Sequence, residues 1–183
     1  MKKILDIFSL EGKRAVVVGG AGILGSAIAK GFGMAGAKVA ICDRVNYEEA
    51  ADELRKEGID AEGFYIDALV VEEVKKCKEK ALEWLGGVDI LLNAVGGNMK
   101  EATTSETQSF FDTPLSALEK VVALNLFGGA ILPSQVFGKE MIENPNGGSI
   151  INISSMSAFR PLTRVLGYLS LIHISEPTRP LYI

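Results

Sequence analysis

Short apolar runs alternate with amphipathic stretches along most of this chain. Ala15-Val16-Val17-Val18 is rich in β-branched residues and stops at Gly19-Gly20, which predicts a strand. Apolar residues at helical spacing follow from Ile23 to Met34, closed by Gly36. Lys38 to Cys42 predicts a second strand ending at Asp43, and Tyr47 to Lys56 a helix stopped by Gly58. Ala61 to Ile66 reads as a third strand ending at Asp67, and Val71 to Leu85 as a helix terminated by Gly86-Gly87. Val88 to Leu92 is the fourth strand and Leu115 to Met141 a long helix. Ser149 to Ile153, after Asn146-Gly147-Gly148, is the fifth strand.

Strands that are apolar on both faces and alternate with helices predict βαβ units. The expected fold class is therefore α/β, a doubly wound parallel sheet in three α/β/α layers. The one long polar loop, Gly97 to Pro114, leaves the carboxyl end of the fourth strand, where such sheets hold ligands.

Composition narrows the function. A chain of 183 residues, 48% hydrophobic and 23% charged, is long enough for a buried core and too apolar for disorder. Nineteen Lys+Arg against 23 Asp+Glu give a net charge of −4, and the longest basic cluster, Lys75-Lys76 with Lys78, is mixed with Glu, so no nucleic-acid partner is expected. Cys42 and Cys77 form neither a disulfide framework nor a zinc motif, and the single His173 excludes a His-based triad or metal cluster elsewhere; no metal site is expected. Met1-Lys2-Lys3 begins as a signal peptide does, but Asp6, Ser9 and Glu11 interrupt the apolar run, and no stretch approaches the ~20 apolar residues of a membrane span. A cytoplasmic protein without a membrane partner is the expectation.

Gly19-Gly20-Ala21-Gly22-Ile23-Leu24-Gly25 joins the first strand to the first helix. Glycines there permit a tight turn and let backbone N–H groups approach a pyrophosphate at the helix N-terminus. Asp43, 18 residues after Gly25, stands where a carboxylate accepts hydrogen bonds from adenosine ribose hydroxyls and repels a 2′-phosphate; the alternative is an N-cap or turn residue. Arg44 softens that preference for NAD over NADP. Asp67 is placed to accept from an adenine amino group, or is a strand-end turn residue. A methyltransferase would also use such a turn and acid, so the nucleotide site alone does not specify chemistry.

Further along, the sequence resembles the short-chain dehydrogenase/reductase family. Val18 to Gly25 is similar to the family's TGxxxGxG turn, with Val for Thr and Ile for the middle Gly. Val88-Asp89-Ile90-Leu91-Leu92-Asn93-Ala94-Val95-Gly96 is similar to its VDILVNNAG strand, without the second Asn. Asn125-Leu126-Phe127-Gly128 matches its NxxG position, Ile150 to Ser155 the strand that delivers a catalytic serine, and Tyr168 follows Ser155 by 13 residues, as the family's tyrosine does. The resemblance implies a Rossmann fold and an NAD cofactor, with NADP as the alternative. It implies a cofactor site of Gly19, Gly22, Ile23, Leu24, Gly25, Asp43, Asp67, Ala68, Asn93, Ala94 and Val95. It implies catalysis by Tyr168 as acid/base, Ser155 holding the reacting oxygen, and Asn125 supporting a water relay. Family members are usually tetramers, which implies a homotetrameric parent protein.

The pattern breaks near the C-terminus. The family's Lys, four residues after the tyrosine, lowers the tyrosine's pKa and binds the nicotinamide ribose; here that position is Ile172. An unassisted phenol titrates near ~10 and is a poor base at neutral pH. Leu169 to Arg179 resembles the conceptual translation of a transposase-type sequencing-library adapter. Residues 1–168 are accordingly expected to be an incomplete NAD(P)-binding domain and residues 169–183 a non-native tail. An inactive, aggregation-prone chain that binds NAD weakly follows from that expectation, with an unpaired fifth-strand edge.

Gly96-Gly97-Asn98, Ser109 to Asp112 and Ser154 to Arg164 are most like the branch acting on sugar acids, the D-mannonate (fructuronate) oxidoreductases. The implied substrate is a small sugar acid. Arg160 and Arg164 are candidates to clamp its carboxylate, or are solvated loop arginines; Asn98 and Lys100 are candidates to meet its hydroxyls. A non-catalytic dinucleotide-binding sensor or scaffold is the rival function.

Overall fold

β1 (Arg14–Val18), β2 (Lys38–Asp43), β3 (Ala61–Tyr65), β4 (Ile90–Asn93) and β5 (Ser149–Asn152) form one parallel sheet in the order β3-β2-β1-β4-β5. The coordinates, a computed structural model, describe residues 7–158 and 163–173. Strand order reverses between β1 and β4, which opens a crevice at the carboxyl ends of those two strands.

Alternation along the strands sorts the core into two layers. Val16, Val18 and Leu91 face α3 (Val71–Leu85) and α4 (Leu115–Glu143), packing with Val74, Cys77, Ala81, Phe137 and Met141. Ala15, Val17, Ile41 and Leu92 face the other way, against Ala29 of α1 (Ile23–Met34) and Ala51 and Leu54 of α2 (Tyr47–Lys56). The expected three-layer α/β/α arrangement is therefore present, with strand ends within two residues of those read from the sequence. Helix termini follow their local chemistry. Glu48 and Glu49 open α2, and Arg55 and Lys56 close it, complementing the helix dipole. Gly86 ends α3 at φ 77°, a left-handed cap that costs glycine little.

α4 corrects one expectation. Val121 to Gly138 contains no charged residue, and the helix is long and apolar enough to cross a membrane by length and composition. The helix runs from Leu115 to Glu143 as its spacing predicts, and Pro133 at the start of the last segment does not break it; what the expectation of no apolar span passed over is the uncharged stretch within it. Its Phe137 and Met141 are buried on the sheet. Between Ala123 and Ile131 the helix widens into π turns, and the Leu132 N–H donates to Phe127 O, five residues back.

At the amino ends of the strands, opposite the crevice, Asp89 gathers Arg14 and Asn144. Arg14 Nε and Nη2 donate to its two oxygens at 2.7 and 3.1 Å, and Asn144 Nδ2 donates at 2.8 Å. This network ties the start of β1 to the segments before β4 and after α4.

Beyond β5 the chain forms α5 (Leu166–His173). The sequence shows no helix pattern there. The helix is set by packing instead: a Cβ on Gly167 would lie 3.2 Å from Leu118 and 3.4 Å from Val121, so α5 lies close against α4.

Candidate active site

The glycine-rich turn is shaped by close approach. Gly19 has φ 84°, and a Cβ there would lie 2.7 Å from the Ala94 carbonyl carbon and from Val95 N, so the turn rests directly on the chain leaving β4. A Cβ on Gly25 would collide with Gly19 O. α1 starts after Gly22 with no side-chain cap and no acid in its first turn, a helix N-terminus suited to an anion. Asp43 braces this turn: Oδ2 accepts from Ala21 N–H at 3.1 Å and Oδ1 from Arg44 N–H at 2.7 Å.

A cleft of about 580 Å³ opens above the crevice. Gly22, Ile23, Leu24 and Gly25 line it from one side, Ala94 and Val95 form its floor, and Asn125, Ser155 and Tyr168 line it from the others. Ile23 is 95% exposed, a large apolar side chain at a helix start with nothing packed over it. A smaller hollow of about 120 Å³ lies next to it, lined by Asp43, Arg44, Asp67, Ala68, Val95 and Leu124. Val95 belongs to both, so the two spaces adjoin at one residue. Asp67 Oδ1 accepts from Leu69 N–H at 3.0 Å, which shapes the wall there.

The three catalytic candidates reach the same cleft from separate elements. Ser155 follows β5; its Oγ accepts from Ser157 N–H and donates to Ser157 Oγ, each at 3.1 Å. Tyr168, on α5, is half-buried and packs with Ala102, Ala117 and Val121, which fixes its ring between α4 and the loop after β4. Asn125 lies in the π stretch. Its Nδ2 donates to Gly97 O and to Val121 O, both at 2.7 Å, while its Oδ1 accepts from Gly97 N–H at 2.9 Å. Both amide hydrogens are thus committed to protein carbonyls. Val121 O is the partner that Asn125 N–H would take in a regular α-helix, and the widened turns begin beside it.

Other candidates lie elsewhere. Asn93 is 1% exposed beneath the cleft; its Nδ2 donates to Asn152 Oδ1 at 2.8 Å and Ser134 Oγ at 3.0 Å. It thereby ties β4 to β5 and α4, and its Oδ1 is the one buried side-chain polar atom without a partner among the described residues. Asn98 is exposed and donates to Thr103 Oγ1 at 2.7 Å, outside the lining of the cleft. Lys100 and Arg164 are exposed, Arg164 lending its carbonyl to Thr104 N–H at 2.8 Å. Arg160 lies outside the described residues. Sequence reasoning did not single out Leu126 and Leu171 as lining residues, or Leu124 in the smaller hollow; only the packing of α4 and α5 brings them there. No charged side chain lines the larger cleft among the described residues.

Comparison with known proteins agrees with this geometry. The family model for short chain dehydrogenase matches residues 13–170. An uncharacterized oxidoreductase of Haemophilus influenzae is 37% identical over 173 residues, and the uncharacterized oxidoreductase UxuB of Bacillus subtilis 40% over 170; each alignment covers 87% of this chain and 60% of the relative. The chain therefore spans about 60% of the length of these relatives. Among solved structures, a protein named as a candidate D-mannonate oxidoreductase from Haemophilus, with bound NAD, superposes with a TM-score of 0.84 at 34% identity, covering 94% of this chain and 65% of that one. A candidate short-chain alcohol dehydrogenase from Sinorhizobium meliloti gives 0.78 at 31% identity, covering 90% and 62%. With the parallel sheet, the glycine-rich turn and the Asn, Ser and Tyr side chains converging on one cleft, the chain belongs to the short-chain dehydrogenase family.

Proposed function

We propose that this chain carries the dinucleotide site and the Ser–Tyr pair of an NAD-dependent oxidoreductase that interconverts an alcohol and a ketone on a sugar acid. The observation that carries the reading is a single uncharged cleft that joins the open N-terminus of α1 to Ser155 and Tyr168. The residues fit a dinucleotide: the Gly19–Gly25 turn has no room for a Cβ at its closest point, and the smaller hollow ends at the Asp43 carboxylate. Bound there, the nicotinamide supplies the site that takes or gives a hydride. The protein's part is proton transfer and positioning. The Tyr168 hydroxyl exchanges the proton on the substrate oxygen; Ser155, kept in place by Ser157 N–H donating to its Oγ, swings its own hydrogen from Ser157 Oγ to that oxygen when substrate binds; Asn125 holds Gly97 at the mouth. The sugar-acid assignment rests on the D-mannonate oxidoreductase named above.

One observation favours the rival reading of a dinucleotide-binding protein without catalysis. No lysine or arginine lines the cleft among the described residues, and position 172, one helical turn after Tyr168, is Ile. A melting experiment tests the nucleotide site that both readings share, and turnover separates them. NAD raises the melting temperature and S-adenosylmethionine does not; no NAD-dependent shift up to millimolar concentration overturns the dinucleotide site. The chain as written turns over D-mannonate and NAD negligibly, and Ile172→Lys raises kcat/KM by on the order of 10²-fold or more; a folded, NAD-binding Ile172→Lys variant with no gain leaves the binding-only reading. Asp43→Ala raises NADPH use relative to NADH in that variant. Residues 169–183 remain a non-native tail in this proposal, and reading the source gene past codon 168 tests it: a Lys codon four positions on supports the tail reading, and an Ile codon removes it.

A further inference from the structure

The chain has two cysteines, far apart in sequence, and the fold brings them together. Cys42 is next to last in β2 and Cys77 lies in the second turn of α3; they are 0% and 1% exposed. Their thiols hydrogen-bond to each other inside the core layer that holds Val16, Val18, Val74 and Ala81. The cleft chemistry uses neither of them.

Cys42 is also where β2 holds the glycine-rich turn. Its carbonyl accepts from Gly19 N–H at 2.8 Å and from Gly20 N–H at 3.2 Å, and Asp43 accepts from Ala21 N–H at 3.1 Å. Gly19, Gly20 and Ala21 thus all hang on two residues at the end of β2. Opposite, the segment from Asp67 to Leu69 that leads into α3 shares the smaller hollow with Asp43. The thiol pair therefore connects the two elements that wall that hollow.

We propose that Cys42 and Cys77 are a redox pair whose oxidation to a disulfide loosens the glycine-rich turn and lowers affinity for the dinucleotide. The effect on affinity rests on the dinucleotide reading above; the bond and its effect on the turn do not. The co-reactant is a low-molecular-weight disulfide. Cys77, as thiolate, attacks one of its sulfurs, the small S–S bond breaks and one small thiolate leaves. Cys42, having lost its proton to water, attacks the Cys77 sulfur of the mixed disulfide, and the second small thiolate leaves. The pair gives up two electrons and two protons, and the small disulfide ends as two thiols. A disulfide is far shorter than the thiol contact it replaces, so β2 and α3 must close on each other there. In a close-packed core that movement carries the Cys42 carbonyl and Asp43 with it, away from the N–H groups of the turn.

At rest the pair resists oxidation. The bond to Cys77, then burial and the nearby Asp43, push the Cys42 thiol well above its ordinary range and keep it protonated. The way in is the start of α3. Val70 at its N-cap offers the first-turn N–H groups no side-chain bond, so this end opens locally at lower cost than a capped one. Oxidation is gated by that opening.

Treating the folded chain with hydroxyethyl disulfide should remove two hydrogens from its mass and yield one linked peptide pair, Cys42 to Cys77, reversible by dithiothreitol. In the oxidised chain, hydrogen exchange at the Gly19 and Gly20 amides should speed up by on the order of tenfold. The NAD-induced rise in melting temperature should shrink and return on reduction, while Cys77→Ala keeps its rise in the presence of the oxidant. The coupling is reciprocal, so saturating NAD should shift the thiol–disulfide equilibrium toward the dithiol. Two free thiols in the treated, folded chain overturn the proposal, as do adducts on single cysteines alone. So does a Cys42–Cys77 disulfide that leaves exchange at Gly19 and Gly20 unchanged, or an oxidised chain that responds to NAD as the reduced one does. A reduced chain that ignores NAD refutes the dinucleotide reading, whereas exchange at the two glycines still accepts or rejects the link between pair and turn. These readouts use the unaltered chain, so a Cys77→Ala variant that unfolds changes none of them.

Discussion

Asp89→Asn measures how much stability is held at the end of the sheet opposite the cleft. The Asp89 carboxylate takes four hydrogen bonds: Arg14 N–H at 3.0 Å and Arg14 Nε at 2.7 Å on Oδ2, and Arg14 Nη2 at 3.1 Å and Asn144 Nδ2 at 2.8 Å on Oδ1. The Arg14 side chain, more than any other cause, holds this carboxyl at about 2 against an ordinary 3.8, with burial opposing. At ~1.4 kcal/mol per tenfold change in proton affinity, that difference is worth about 2 kcal/mol of folding free energy. The Asp89 and Arg14 side chains are 9% and 27% exposed, so solvent screening removes little of it. The sign follows from the depression. The folded state releases the proton more readily than the unfolded state, so the stabilisation is complete well above the unfolded value of ~4 and is lost as pH falls through about 2. About half should remain near pH 3. Urea unfolding of the parent and Asp89→Asn should therefore differ by about 2 kcal/mol near neutrality, with the gap shrinking toward pH 3. A gap that stays constant over that range would refute the electrostatic origin, and one below ~0.5 kcal/mol would place the pair among ordinary surface ion pairs.

Two further substitutions probe the cleft. Gly25→Ala puts a methyl group into Gly19 O, so the turn must open; we expect a loss of about 1–3 kcal/mol in stability and a smaller NAD-induced rise in melting temperature than in the parent. Asn125→Leu removes three hydrogen bonds, two of them to Gly97, at a cost of about 3 kcal/mol, and should accelerate hydrogen exchange at the Gly97 amide; unchanged exchange there would show that the loop is held by something else.

How far the sequence discloses this molecule depends on whether a feature is local. The turn from Val18 to Gly25 and the Asp43 that braces it lie at strand ends, where glycine and acid positions follow from the immediate chain direction, and both are legible. Asn125 is legible as a residue but not as a clamp, because its grip on Gly97 depends on π turns that no periodicity announces. Asn93 shows how parity redirects a motif. It shares a face with Leu91, so its side chain enters the α4 layer and meets Ser134 and Asn152 instead of the cleft. Tyr168 is placed by α5 against Ala117 and Val121, a contact across about 50 residues of chain that the short apolar pattern near it does not encode.

The same parity decides what the sheet can do at its ends. Arg55 and Glu62 look like solvent-exposed helix and strand charges in the sequence, and α2 would form without either. They acquire a purpose only because Ala61 and Gly63 are the β3 residues whose backbone points away from β2. One residue of slip in the β2–β3 register would turn the Glu62 backbone outward, put Ala61 and Gly63 into the ladder and leave Arg55 without its carbonyl. At β5 the outward residues are Ile150 and Asn152, and among the described residues no side chain meets their backbone as Arg55 meets Ala61. The difference between the two edges is thus a product of register with side-chain charge.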